Sequence, residues 1–284
     1  MYQAGLVLEG GGMKGVYTAG VLDFFLDKGI EFSSCYGVSA GVHQMCSYLS
    51  RQKERGYRVY VDYLDNKYYC GARSLLTSGD LFNVKICYDL IPNYLYPFDE
   101  ETFEKYEGKA YAVVTNIKSG RAEYIRIKNT NEDMAAIRAS SSLPLVSRNV
   151  KIGDNLYLDG ALTDSIPIRK SILDGNTKNI VIMTKETGYR RKPVSMSTLS
   201  LLKVRYFKYP KVYELMKGRH IEYNATLDFL KNQEKNGQAF VIRPEYDSGV
   251  GRIEKDTEKL EILYHMGYQD GEKNYDKMME YLNS

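Results

Sequence analysis

The chain has no tryptophan, three histidines, four cysteines and seven prolines in 284 residues. The cysteines (Cys35, Cys46, Cys70, Cys87) form no CxxC pair and have no histidine at ligand spacing. Neither a metal site nor a disulfide framework is expected. No apolar run approaches the roughly 18 residues a membrane span needs. The opening "MYQAGLVLEGGG" lacks a basic start followed by a long apolar stretch, which predicts no secretory signal and a cytoplasmic chain. The net charge of +3 is too small to point to nucleic acid. Oligomeric state is not legible.

What is present is an ordinary globular composition, 43% hydrophobic and 26% charged, long enough for one large domain or a domain with an appendage. Residues 185–219 hold ten Lys/Arg against Glu186 and Glu214, so the remainder of the chain is net acidic.

"AGLVLE" (4–9) is a short apolar run that predicts a buried strand. "VYTAGVLDFFLDKG" (16–29) places Val16, Ala19, Leu22, Phe25 and Leu26 on one helical face and stops at Gly29, a glycine cap. "SSCYGV" (33–38) predicts a second strand and "AGVHQMCSYLSRQ" (40–52) a second helix. This β-α-β-α opening implies parallel strands with a right-handed crossover. Residues 53–107 are Tyr-rich and helix-like. "KAYAVVTNIKSGRAEYIRI" (109–127) predicts a hairpin turning at Ser119-Gly120, and 131–140 a helix with an Asn cap. A strand at 155–161, a helix at 167–175, a strand at 179–185, a strand at 239–245 and acidic helices from 254 to 283 follow. The expected division is a core at 1–185 and a mostly helical extension at 186–284, packed on it.

"LEGGGMKG" (8–15) admits three readings. A P-loop needs Lys then Ser/Thr after the last glycine, and Val16 follows Gly15. A dinucleotide fingerprint, Gly10-x-Gly12-x-x-Gly15, needs an acid at the end of the second strand about 20 residues on. Glu31 has the spacing but sits at that strand's start. The third reading is a nest of backbone N–H groups that stabilises negative charge, with Lys14 adding a cation nearby.

"GVSAG" (37–41) is a G-x-S-x-G placed between a strand and a helix. Gly37 and Gly41 permit a sharp turn that exposes Ser39, and the Ala40 N–H follows the nucleophile. The competing reading is a helix-capping serine. Adjacent parallel strands put the glycine loop and Ser39 at one sheet edge, where open α/β folds bind ligands.

A serine nucleophile needs a base. Ser39, Asp159 and His265 follow the order of an α/β-hydrolase triad, but only one strand precedes this elbow and His265 lies in a helical pattern. His43 is one helical turn after Ser39, an awkward reach, and His220 follows a basic run. Asp159 ends a strand and is followed by Gly160-Ala161. If that strand is parallel, Asp159 projects to the same edge, and burial raises its pKa towards a useful value. A plain Asp-Gly turn is the alternative.

Taken together, "GGGMKG" (10–15), "GVSAG" (37–41), the hairpin, "ASSSLP" (139–144) and "DGA" (159–161) resemble the patatin-like phospholipase family over roughly residues 4–185. The resemblance implies a three-layer α/β/α fold with a central, mostly parallel sheet, followed here by a mainly helical C-terminal region. It implies Ser39 as nucleophile, Asp159 as base without a catalytic His, and the Gly10, Gly11 and Gly12 backbone as oxyanion hole. Acyl esters of lipids are the implied substrates, with no metal or cofactor. "RPEYDSGVGRIEKD" (243–256) resembles the tail of a bacterial subgroup. His43 stands where the family leads one to expect a small or apolar residue. A transacylase, a nucleotide-binding protein and an inactive lipid-binding relative remain as other readings. "LLKVRYFKYPKVYELMKGRH" (201–220) mixes cations with Tyr and Phe. It reads either as a helical lid over an apolar cleft or as a peripheral contact with an anionic inner-membrane surface.

Overall fold

The computed structural model describes residues 1–284. In chain order the elements are β1 (Tyr2–Leu8), α1 (Gly15–Asp27), β2 (Phe32–Val38), α2 (Ala40–Leu49), α3 (Arg55–Val61), α4 (Ala72–Ser78) and α5 (Glu100–Glu104). There follow β3 (Lys109–Asn116), β4 (Arg121–Ile127), α6 (Met134–Ser140), β5 (Val150–Ile152), β6 (Asn155–Asp159), α7 (Ile168–Leu173) and β7 (Asn179–Ile182). The chain ends with α8 (Met196–Arg205), α9 (Pro210–Lys235), β8 (Phe240–Ile242) and α10 (Thr257–Asn283). No helix is long and apolar enough to cross a membrane.

One sheet carries all eight strands, paired in the order β5-β6-β3-β2-β1-β7-β8, with β4 on β3. The centre is parallel: β3-β2, β2-β1, β1-β7 and β7-β8. Strands buried on both faces need apolar residues at every position, and alternate residues serve different layers. Leu6 and Leu8 join the core under α1, α2 and α10, together with Cys35, Ile180 and Ile182. Val7, Tyr36, Val181 and Met183 point the other way, to Tyr223 and Leu230 of α9 and to Ile168 of α7. The fold is thus a three-layer α/β/α arrangement with a mainly helical C-terminal region.

Residues beyond 185 add β8 to the sheet and one long helix to each face. The acidic helices expected from 254 form one, α10, which starts at an Asp256 cap. It lies against α1 at a distance set by glycines. A Cβ on Gly267 would fall 2.0 Å from the Tyr17 carbonyl oxygen, and one on Gly20 would fall 2.0 Å from that of Tyr264. Three tyrosine hydroxyls stitch this seam to carboxylates: Tyr17 to Asp270, Tyr264 to Asp23 and Tyr268 to Asp27, each at 2.7 Å. Tyrosine suits such a seam because one ring supplies both buried area and a polar tip.

Two expectations change. The helix expected at 131–140 begins at Met134 without an Asn cap, because the Asn129 carboxamide takes the Asn131 and Glu132 N–H groups in a turn before it. The strand carrying Asp159 is antiparallel to β3. It still reaches the right edge, because its last residue pairs with Val114, next to the end of β2 at Val113.

Gly267→Ala is expected to cost at least about 1–3 kcal/mol, because backbone cannot yield to the new methyl. Gly218→Ala, in the interior of α9 with nothing within 4 Å of the added carbon, should be neutral or stabilise by roughly 0.5–1 kcal/mol. Urea midpoints of the two variants against the parent check both signs.

Candidate active site

Strand β3 brings the predicted residues together. One of its sides is taken along 110–116 by β4. On the other, β2 pairs with 109–113 and β6 with 114–116. Two strands therefore share one lane and meet head-on: Val38 pairs with Val113, and Asp159 pairs with the next residue, Val114. The antiparallel β6 enters from beyond the sheet edge, so its last residue stops where β2 stops. Gly160 sits so close to β3 that a Cβ would lie 2.2 Å from the Val113 carbonyl oxygen.

Ser39 forms the tight corner between β2 and α2 at φ 55° and ψ −122°, a region costly for any residue with a side chain. The surroundings hold it there. Its N–H donates to Ser140 Oγ at 2.9 Å, and the Ser142 carbonyl accepts from the Asp159 N–H at 2.8 Å. The "ASSSLP" segment is thus a clamp on both residues. Gly37 and Gly41 let the corner back onto Val42 and onto the Leu8 carbonyl, and Gly15 abuts Ala40.

Asp159 is fully buried. Its Oδ1 accepts the Ala161 N–H at 2.8 Å, while Oδ2 has no hydrogen-bond partner. Burial pushes its pKa above the ordinary carboxylate range, opposed by the Ala161 N–H, the neighbouring Ser39 hydroxyl, Arg219 and Arg252. No hydrogen bond of normal geometry yet joins Ser39 to Asp159.

The glycine loop lies directly against this pair. A Cβ on Gly10 would be 2.9 Å from Ser39 Cβ, and Gly12 has φ +59°, so only glycine permits the approach. The N–H groups of Gly10 and Gly11 donate to no protein acceptor. The Ala40 N–H, at the first position of α2, has no partner within its helix. The Lys14 ammonium is paired with Asp247 at 2.8 Å, so its charge is offset and it does not act as a free cation beside the loop. Glu9, just before the glycines, is fully buried and accepts from Thr184 N at 2.8 Å and from the Tyr223 hydroxyl at 2.5 Å. That network ties the loop to β7 and α9.

None of the histidines is hydrogen-bonded to Ser39. His43 Nε2 contacts Ser141 Oγ at 2.9 Å, and burial holds its pKa down to about 4, so the ring is neutral. His265 is exposed on α10 beside Glu261. Glu31 forms a surface pair with Arg51. No group of three or more His, Cys, Asp or Glu side chains could hold a metal ion.

Two recesses open at Ser39. An apolar cleft runs between Ser39, His43, Phe82, Tyr88, Ile91 and Ile137. A second recess, of ≈ 250 Å³, holds the glycine loop, Asp159 and several cations. None of residues 196–220 lines the apolar cleft. The 201–220 stretch is therefore no lid over it. Leu199, Leu202, Tyr206 and Val212 pack instead on Ile117, Leu158 and Leu162. No individual role is read from the sequence for Ser140, which lies within "ASSSLP", or for Arg219 and Arg252. An arginine far along the chain carries no local pattern that links it to a serine at 39.

A family model described as a domain of unknown function (DUF6363) matches residues 209–283. The uncharacterized protein YjjU of Escherichia coli (strain K12) is 26% identical over 183 residues, covering 63% of this chain and 51% of that protein. A probable lipid hydrolase 463L of Invertebrate iridescent virus 6 is 26% identical over 197 residues, covering 63% of this chain and 66% of that one. The match thus spans about half of one relative and just under two thirds of the other. VipD from Legionella pneumophila aligns with a TM-score of 0.48 at 12% identity, covering all of this chain and 67% of that one. A second family model, described as patatin-like phospholipase, matches residues 6–171. That span runs from β1 into α7 and takes in more than half of the chain, so this protein belongs to the patatin-like phospholipase family.

Proposed function

We propose that the protein is a serine acyl hydrolase of lipid esters, phospholipid or lysophospholipid, working through Ser39 and Asp159. The observation that carries this reading is the fully buried Asp159 Oδ2, without a partner, beside a serine strained into an elbow. A buried carboxylate of raised pKa is a better base than a solvated one. The name of the viral relative, a probable lipid hydrolase, agrees with the substrate class, and the apolar cleft at Ser39 suits an acyl chain.

In the proposed reaction Ser39 Oγ attacks the ester carbonyl carbon while Asp159 Oδ2 takes the hydroxyl proton. The carbonyl π electrons move to the oxygen, which the N–H groups of Gly10, Gly11, Gly12 and Ala40 stabilise; one such donor is typically worth about 10²–10³ in rate. Collapse breaks the bond to the alcohol, which leaves with the proton from Asp159. Asp159 then takes a proton from water, the resulting hydroxide attacks the acyl-serine, and the carboxylic acid departs as Ser39 regains its proton.

We further place a peripheral membrane contact at α8 and the start of α9. Met196, Leu201, Val204 and Phe207 are exposed there among Lys203, Arg205 and Lys208, a mixture that suits an anionic lipid surface.

Labelling with a fluorophosphonate probe tests the nucleophile: it should vanish in Ser39→Ala. Asp159→Asn should lower ester hydrolysis by about 10²–10⁴-fold, and His265→Ala should leave it intact; the opposite pattern would favour a histidine triad. Because protonated Asp159 cannot accept the serine proton, hydrolysis should rise with pH through the raised Asp159 pKa. That acid limb should lie above the ordinary carboxylate range in a pH–rate profile. Ser39→Gly should abolish activity yet gain roughly 1 kcal/mol of stability by relieving the positive φ. For the membrane contact, flotation with vesicles should depend on anionic lipid, fade at high salt and weaken in Phe207→Ser; binding indifferent to lipid charge and salt would remove it.

A further inference from the structure

We propose that the second recess at Ser39 binds the anionic phosphoryl head group of a glycerophospholipid, so that the scissile ester is held between an apolar half-site and a cationic one. This rests on the acyl-hydrolase reading above and names the residues that recognise the phosphoryl group of the leaving alcohol.

The recess is lined by Lys14, Lys185, Arg191, Arg219 and Arg252, and Asp159 is its single carboxylate. Lys14 is already paired with Asp247. The other four cations form no ion pair there. Arg219 is only 9% exposed; its Nε donates to the Ala161 carbonyl at 2.7 Å, and the rest of its guanidinium has no protein partner. Arg191 Nε is likewise buried without a partner. Its backbone is pinned on both sides by the Asn224 side chain, and its guanidinium lies 4.1 Å from the centre of the Tyr223 ring. Arg252 sits over the glycine loop: its carbonyl accepts the Met13 N–H, and its side chain borders both recesses.

Gathering these charges is unfavourable without an anion. Burial, then the charge of Arg191, brings the Arg219 pKa down to about 10. Burial, then Lys14, lowers that of Lys185. Arg219 is the one buried member of these four, and the charge of Asp159 offsets it only in part; a buried cation short of counter-charge is destabilising, so the arrangement favours an anion that arrives. Three arginines with free fork donors suit a multi-oxygen anion better than a point charge. A volume of ≈ 250 Å³ leaves room for a phosphate ester with a small head group. Because Ser39 borders both recesses, an anion in one and an acyl chain in the other would belong to the two sides of one ester. Lys185, Arg191, Arg219 and Arg252 all lie outside the family match at 6–171, and Arg219 and Arg252 fall within the segment at 209–283. The inference therefore gives that C-terminal segment a role, recognition of the leaving group.

Binding and turnover test it separately. In the Ser39→Ala protein, calorimetry should detect binding of glycerol 3-phosphate and none of glycerol. The affinity should weaken with salt and fall at least about tenfold with either Arg191→Gln or Arg219→Gln, the loss of one charged hydrogen bond. Arg191→Gln serves if the more buried Arg219 variant does not fold. In the Ser39 protein, the ratio of kcat/KM for an anionic lysophospholipid to that for a monoacylglycerol of the same chain should also fall at least about tenfold in Arg191→Gln. No binding, or an unchanged ratio, would overturn the proposal. Inorganic phosphate binding as tightly as glycerol 3-phosphate, with an unchanged ratio, would mark a free-anion site and overturn it too. If glycerol 3-phosphate binds through Arg191 and Arg219 but no acyl ester is cleaved, the anion site stands and the hydrolase reading fails.

Discussion

The candidate site depends on two strands ending against one another along β3. Val38 stops at Val113, and Asp159 stops at Val114. Neither strand can move along that lane without displacing the other. Each backbone is also fixed by its ladder and by the serines at 140 and 142. A strained elbow and a buried carboxylate are both unfavourable alone. They persist because the surrounding sheet leaves the chain no other course. The small glycine-to-backbone distances at Gly10, Gly41 and Gly160 belong to the same constraint: three loops converge where a methyl group has no room.

The C-terminal third of the chain completes this arrangement from outside. Tyr223 of α9 caps Glu9 at the root of the glycine loop. The Arg252 carbonyl holds the Met13 N–H, Asp247 neutralises Lys14, and Arg219 grips the Ala161 carbonyl next to Asp159. On the other face of the sheet, α10 is locked to α1 through Gly20 and Gly267. Interactions that hold the loops and interactions that shape the second recess therefore come from the same late segments. The electrostatic consequence is a recess with one buried acid among several cations, in which negative charge on a bound group is favoured.

Much of the fold was legible because its signals are local. The apolar run at 4–9, the hairpin turn at Ser119-Gly120 and the glycine stop at Gly29 correspond to β1, the β3-β4 turn and the end of α1. Patterns failed where a longer-range contact decided. The direction of β6 depends on the β5-β6 hairpin and on an open lane beside β3, neither of which leaves a mark at Asp159. The stretch at 201–220 has the composition of a lid. Its buried face, however, matches Ile117 and Leu158, and composition does not say what a face will meet.

The amino-acid sequence by itself determined the strand-turn-helix units, the glycines at the first turn, the serine at the second and an Asp-Gly at the end of a later strand. It did so because backbone conformation and hydrophobic period are properties of neighbouring residues. Only the tertiary structure decided that Asp159 arrives on an antiparallel strand and keeps one oxygen unsatisfied. It also decided that Lys14 is neutralised and that Arg191, Arg219 and Arg252 face the same recess. Those outcomes are set by distance and desolvation between groups more than two hundred residues apart in the chain, and no local pattern encodes either quantity.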